Sequence, residues 1–395
     1  LIVARTVGYI FQRIGQSQSI GEIFAGVLLG PSVFGWLFPS AFQRIFRGDG
    51  PPILPFFSHI ALILTLFLIG MEFDYSEIPR HAKKVVALAL STLLVPLGTG
   101  AALAVGLWQI APGGHGFLAY ALFVGITLAI TAIPIMGRIL MELGLTQTRM
   151  GVLAITTGAT KDLFTWFLLT LIIGVARPPV NFLKFGRMVG LTAAMGLLVL
   201  TVGRRLLRWA EEAYPCKDGK PHPMLLSALL IALTLCAAIT SWIGIFAIFG
   251  AFLAGVAVSS QRTLAHAVSD RLHDLTILYF LPLFFTYTGL RANLTQLGGV
   301  LLLACVIVTV AGTLATAGPA YAVARLAQMQ PRESAALALL VNTPGLMVLI
   351  LLNIGLDLEV IPDRLFALLI GAALIKNLLT PPLVRRLGSA GLPSA

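Results

Sequence analysis

Residues 126–140, ITLAITAIPIMGRIL, and residues 339–350, LLVNTPGLMVLI, decide the fold. Both are apolar runs with a proline inside. Thr131 and Pro134 interrupt the first; Asn342, Thr343, Pro344 and Gly345 interrupt the second. Proline removes a helical hydrogen bond and clashes with the preceding turn. In hydrocarbon, freed backbone groups are tolerated only where protein or a water-filled cavity satisfies them. A single interruption reads as an ordinary kink. Two of them, each beside hydroxyl or amide side chains and at corresponding places in the two halves, form the signature of an inverted-repeat transporter with its site near the bilayer midplane.

Composition supports a bilayer as the solvent. Of the 395 residues, 58% are hydrophobic and only 11% charged, and the mean hydropathy is +0.94. A soluble protein is about a quarter charged, so a soluble enzyme, a secreted module and a disordered chain are all excluded. Cys216, Cys236 and Cys305 are too scattered for a disulfide framework or a metal site. No HExxH, Ser-Lys or GxSxG pattern lies at membrane depth, so an enzyme is not expected. The net charge of +11 sits in short loops, which points to membrane orientation rather than nucleic acid.

Thirteen apolar runs are expected to span: about 1–13, 19–37, 55–72, 85–108, 117–140, 150–176, 188–207, 224–242, 244–260, 275–290, 297–325, 334–355 and 365–384. The first is cut at Leu1, so further residues are expected before it. Placing loops alternately on two sides puts seventeen Lys and Arg on one side and seven on the other, with Arg5, Lys161 and Lys376 inside spans. The richer side is expected to be cytoplasmic, with the N-terminus outside and the C-terminus inside. The interrupted runs are the fifth and the twelfth. An odd separation of seven makes them antiparallel, as crossed broken helices require.

Lys161 and Asp162 lie near the middle of residues 151–175, GVLAITTGATKDLFTWFLLTLIIGV. Each costs roughly 2.5–3.5 kcal/mol at a helix centre, which favours a functional reading over a merely structural pair. Asp162 is the expected ion and proton carrier, since one carboxylate can hold a proton or a metal cation in turn. Lys161, Thr131 and Thr157 are expected beside it, with oxygens from the hydroxyls and the broken-helix carbonyls suiting a hard monovalent cation. Accessory charges are Lys376, Arg138, Glu72 and Glu333. Lys376 stands nine residues before Arg385, within reach of either the cytoplasmic interface or the midplane. Arg138 has Glu142 four residues on as a local partner.

Further blocks carry a family likeness. GEIFAGVLLGPSVFGW (21–36), LFLIGMEFD (66–74), ITAIPIMGRILMELGL (130–145), LPLFFTYTGLRANL (281–294), residues 331–357 and LLTPPL (378–383) occur in this order. The chain resembles a monovalent cation/proton antiporter of the Kef/CHX-like branch, with the sodium/hydrogen exchanger fold. The resemblance implies an all-α membrane domain over residues 1–395, with core-type helices around 117–176 and 297–355. The remaining helices would form a scaffold and a homodimer interface, and no soluble regulatory domain is expected within the chain. It implies secondary exchange of Na+ or K+ for H+ by alternating access, without a cofactor, in a bacterial inner membrane. The departures concern charge. Lys161-Asp162 stands where Asp-Asp or Asn-Asp is usual, Thr313 where many relatives carry a lysine, Pro344 where an arginine is usual and Val348 where a glutamate often follows. They leave two alternatives open. One is a transporter of another substrate, such as an organic ion or a metal-loaded small molecule. The other is a transport-inactive sensor or scaffold in which Lys161 is a tethered cation.

Overall fold

The computed structural model describes residues 1–14, 16, 18–46, 53–71, 82–131, 136, 140, 148–176, 182–216, 219–244 and 247–388. Apolar sequence in lipid must satisfy its backbone internally, and the described chain is almost wholly helical. In order the helices are α1 (Ile2–Arg13), α2 (Gln18–Leu29), α3 (Phe34–Leu37), α4 (Pro39–Phe46), α5 (Ile53–Met71), α6 (Ala82–Ile110), α7 (Phe117–Ala129) and α8 (Arg149–Ala176). Next come α9 (Phe182–Leu198), a π-turn at Val199–Gly203, α10 (Arg204–Ala213), α11 (Pro223–Ile243), α12 (Ala247–Val258) and α13 (Arg262–Leu275). A second π-turn at Thr276–Phe280 leads into α14 (Leu281–Arg291). The chain closes with α15 (Gly299–Leu326), α16 (Pro331–Val341), α17 (Gly345–Asp357) and α18 (Asp363–Gly388).

Every expected run holds a helix, but length alone gives fewer crossings than thirteen. Seven described helices are long and apolar enough to cross a membrane. The 13-residue α7 rises only about 20 Å, short of a hydrocarbon core of about 30 Å. The expected run at 275–290 also differs, because its helix begins earlier, at Arg262. The added stretch is amphipathic. It buries Leu264, Val268 and Leu272 at fourfold spacing, a period that a search for unbroken apolar runs passes over.

Local sequence sets the helix ends. Pro223 opens α11, where its missing N–H costs nothing, and the His222 ring Nδ1 accepts the Met224 N–H at 3.2 Å. Gly244 ends it at φ +102°, a conformation disfavoured for residues with a Cβ. Pro96 and Pro319 lie inside α6 and α15, each removing one helical hydrogen bond.

The chain divides into two compact units. One comprises Leu1–Arg5, Asp49–Tyr75 and Pro179–Tyr287. In it α5 and α12 touch backbone to backbone: a Cβ on Gly70 would overlap the Phe252 carbonyl, and one on Gly255 the Phe67 carbonyl. Phe67, Leu229, Leu233, Ala251, Val258 and Leu264 close that core. The other unit comprises Thr6–Gly48, Ser76–Pro178 and Thr288–Ala395. It contains both interrupted stretches. Its core draws Val85 and Leu88 from α6, Leu153 from α8, Leu337 and Leu340 from α16, and Val384 from α18.

Candidate functional site

The site is built where two helices stop. α7 ends at Ala129, and Ile130 turns extended at φ −66° and ψ 145°. α16 ends at Val341. Asn342 and Thr343 turn their N–H groups back to the carbonyls of Ala338, Leu339 and Leu340 at 3.2 Å. Pro344 has no N–H to continue the ladder, and Gly345 at φ +49° starts α17. The Val341 carbonyl is thereby released from the helix, and the Thr131 hydroxyl donates to it at 2.7 Å. The two interruptions, 210 residues apart, are in direct contact.

Other freed groups are satisfied by neighbouring helices. The Gly345 N–H donates to Asn377 Oδ1 at 3.1 Å. The Thr316 hydroxyl donates to the Leu128 carbonyl at 3.3 Å and to the Gly312 carbonyl at 3.0 Å. Buried backbone polar groups in membrane proteins need partners of this kind.

Two ammonium groups enter the crossing. Lys161 is fully buried and its Nζ donates to Thr131 Oγ1 at 2.7 Å. Lys376 is also buried and its Nζ donates to Asn342 Oδ1 at 3.3 Å. The C-terminal ends of α7 and α16 meet here. Helix C-termini carry about half a negative charge, so the ammonium groups sit where that field favours them.

Thr131, Lys161, Asn342, Thr343, Pro344 and Gly345 of the sequence expectation therefore come together. Thr157 lies one turn before Lys161 on the same face of α8. It is buried, and its hydroxyl has no hydrogen-bond partner among the described residues. Thr165, a turn beyond Lys161, lines a small apolar cleft with Ile130, Leu169, Met347 and Ile350. Lys376 is buried against the second break rather than exposed at a surface. Glu333 is apart from the crossing, in the first turn of α16, where its Oε2 accepts the Gln330 N–H at 3.2 Å. Pro134, Arg138 and Glu72 lie outside the described residues, and so does the side chain of Asp162, whose backbone continues α8. Sequence reasoning missed Asn377, Thr316 and Gly312. An asparagine at mid-span was the available signal for the first.

A polar network anchors the far end of α17. Arg291 Nη1 lies 2.7 Å from Asp357 Oδ1 and donates to Asn353 Oδ1 at 3.1 Å. Asn353 Nδ2 donates to Thr288 Oγ1 at 2.8 Å and to the Leu349 carbonyl at 2.9 Å.

With this geometry in place, comparison with known proteins is decisive for the family. The transmembrane sodium/hydrogen exchanger family matches residues 1–387. The chain belongs to the sodium/hydrogen exchanger family. That family is one of secondary transporters, not enzymes, and its members are integral membrane proteins. The chain is 33% identical over 385 residues to the Na(+)/H(+) antiporter NhaS4 of Synechocystis, covering 97% of this chain and 93% of that one. It is 31% identical to the Cation/H(+) antiporter 18 of Arabidopsis thaliana and 28% identical to the K(+)/H(+) antiporter 1 of Saccharomyces cerevisiae. The match covers 97% and 98% of this chain but only 47% and 45% of those proteins, so the chain spans about half their length. The solved sodium proton antiporter MjNhaP1 of Methanocaldococcus jannaschii superposes with a TM-score of 0.64 at 15% identity, covering 98% of this chain and 95% of that chain. This establishes the exchanger fold.

Proposed function

We propose that this exchanger-family chain is a secondary antiporter that trades a monovalent cation, Na+ or K+, for H+ across the membrane by alternating access. The observation that carries the proposal is the joining of the two helix breaks through Thr131 and Val341, with Lys161 bonded to the same hydroxyl. Irregular backbone in a membrane is tolerated where it serves a site. Here it gathers hydroxyl, amide and carbonyl oxygens, the donor class suited to hard cations. Relatives named as Na(+)/H(+) and K(+)/H(+) antiporters support the same class of substrate.

In this reading Asp162 is the carrier, with Thr131 and Thr157 supplying oxygens. A carboxylate holds one proton or one cation, and never both at once. Loading from one side with a proton and from the other with a cation is exchange. The helices around 117–176 and 297–355 form the moving core, and the others form the scaffold and a homodimer interface. The membrane is a bacterial inner membrane, with the N-terminus outside and the C-terminus cytoplasmic.

Purified protein in liposomes with an internal pH-sensitive dye tests this reading. Pulses of Na+, K+ or Li+ should dissipate an imposed pH gradient, and Asp162→Asn should abolish the response. Silence to all three ions, in vesicles with verified insertion, overturns the exchange function. Full activity of Asp162→Asn overturns the carrier assignment.

A further inference from the structure

Read as an inverted repeat, the chain pairs its fifth and sixth expected spans with the twelfth and thirteenth. In the first pair, Lys161 of the later span bonds Thr131 at the break in the earlier one. In the second pair, Lys376 of the later span bonds Asn342 at the break in the earlier one. The two lysines are thus counterparts, each followed by an acid or its amide, Asp162 and Asn377. Each break in this chain is served by an ammonium from the span that follows it.

Lys376 is held there by packing as well as by its hydrogen bond. It is 7% exposed and Asn342 is 5% exposed. Its Nζ lies over Gly312 of α15, where an added Cβ would come within 3.1 Å of the nitrogen and 3.0 Å of Leu128 Cδ2. Gly312 leaves the room that this long side chain needs. Among the described residues no carboxylate forms an ion pair with Lys376. Its partner is the side-chain oxygen of Asn342, at the centre of the second break.

That oxygen is also of the type a bare cation would use. We propose that Lys376 sets cation affinity: its ammonium is a tethered competitor that occupies the Asn342 oxygen, and a transported cation must displace it. The proposal deepens the antiport reading and rests on it for the word transported. It differs from the alternative raised by the sequence, a transport-inactive chain in which Lys161 is the tethered cation. An amide oxygen held by an ammonium is poorly available to a second cation, so removing the ammonium frees a ligand. Charge-assisted hydrogen bonds of this kind are strong enough to change affinity by about tenfold.

The test uses Lys376→Met, Lys376→Arg and the double variant Lys376→Met with Asn342→Leu. Two readouts are needed: the KM for Na+ and K+ in the liposome assay, and the cation dependence of thermal melting of the detergent-solubilised protein. Lys376→Met is expected to lower the KM about tenfold and to shift the melting response to correspondingly lower cation concentration. Lys376→Arg, which keeps the charge, should not lower either. Adding Asn342→Leu should cancel the gain of Lys376→Met. A lysine that only packs would alter the maximal rate or the melting temperature without moving the concentration dependence, and that result overturns the proposal. So does a gain that survives Asn342→Leu. Should Lys376→Met misfold, Gly312→Ala supplies the test, since it pushes on the nitrogen and should shift the same concentration dependence. If the wild type binds cations but exchanges none, the antiport reading fails while the melting shifts still decide whether Lys376 competes.

Discussion

Lys161 Nζ donates to Thr131 Oγ1 at 2.7 Å, and that same hydroxyl donates onward to the Val341 carbonyl at 2.7 Å. A buried ammonium on α8 is therefore linked through one hydroxyl to the free end of α16. The linkage should appear in a double-mutant cycle. Lys161→Met and Thr131→Val each remove one end. Their effects on thermal stability in detergent should be non-additive by about 1–3 kcal/mol, as expected for a hydrogen bond to a buried charge. Thr131→Ser should retain most of the wild-type behaviour. Additivity within about 0.5 kcal/mol would show that the pair does not act as a unit.

The charges at the crossing bear on stoichiometry. Lys161 and Asp162 sum to zero, so a bound monovalent cation leaves a net positive charge in low dielectric, and the buried Lys376 adds to it. Exchange of one cation for one proton keeps the charge of the moving unit the same in both directions. Moving a net charge across the bilayer is worth about 2.3 kcal/mol per 100 mV, which would change a potential-driven rate many-fold. The cation gradient at which net exchange stops should therefore not move when a 100 mV potential of either sign is imposed on the liposomes, whereas one net charge per turnover would shift that balance point by well over tenfold. A balance point that follows the potential would mean unequal numbers of cations and protons per turnover.

Gly345 and Asn377 hold the start of α17. Gly345 sits at φ +49°, and its N–H donates to Asn377 Oδ1. Gly345→Ala forces an ordinary residue into the left-handed region and should cost about 1–2 kcal/mol. Asn377→Leu leaves a buried N–H unsatisfied and should cost about 1–3 kcal/mol. Asn377→Asp keeps the acceptor and places a negative charge at a helix N-terminus, where it is favoured. It should melt closer to wild type than Asn377→Leu does. The reverse order would remove the N–H bond as the reason for this residue.

The architecture was legible because lipid leaves few choices. Two prolines near Thr131 and Asn342, at corresponding places in the two halves, pointed to breaks, and the helices end at Ala129 and at Val341. What stayed illegible was side-chain direction. Lys376 near a span end could point toward water or into the protein, and its bond to Asn342 and the space over Gly312 decide between them. Thr316 was missed because a helical threonine usually bonds its own preceding turn. It does so here, to Gly312, and also reaches the Leu128 carbonyl. The helix that carries the expected span at 275–290 begins earlier, at Arg262, because the stretch before the span is amphipathic and carries no continuous apolar run.

The network at the far end of α17 predicts an order of effects. Asn353 is 4% exposed and donates to Thr288 and to the Leu349 carbonyl while accepting from Arg291. Asp357 is 40% exposed in its ion pair with Arg291, where solvent screening reduces such a bridge to about 0–1 kcal/mol. Arg291→Met removes the bridge and one donor to Asn353. Asn353→Leu removes the buried centre and leaves Arg291 without its amide oxygen, a loss of about 1–3 kcal/mol. Thermal melting should rank Asn353→Leu as most destabilising, Arg291→Met next and Asp357→Asn least. Raising the salt concentration should narrow the gap between wild type and Asp357→Asn and leave the Asn353→Leu deficit in place, because screening acts on the exposed pair and not on the buried amide. A salt-sensitive Asn353→Leu deficit, or Asp357→Asn as the worst of the three, would place the strength of this anchor in the ion pair.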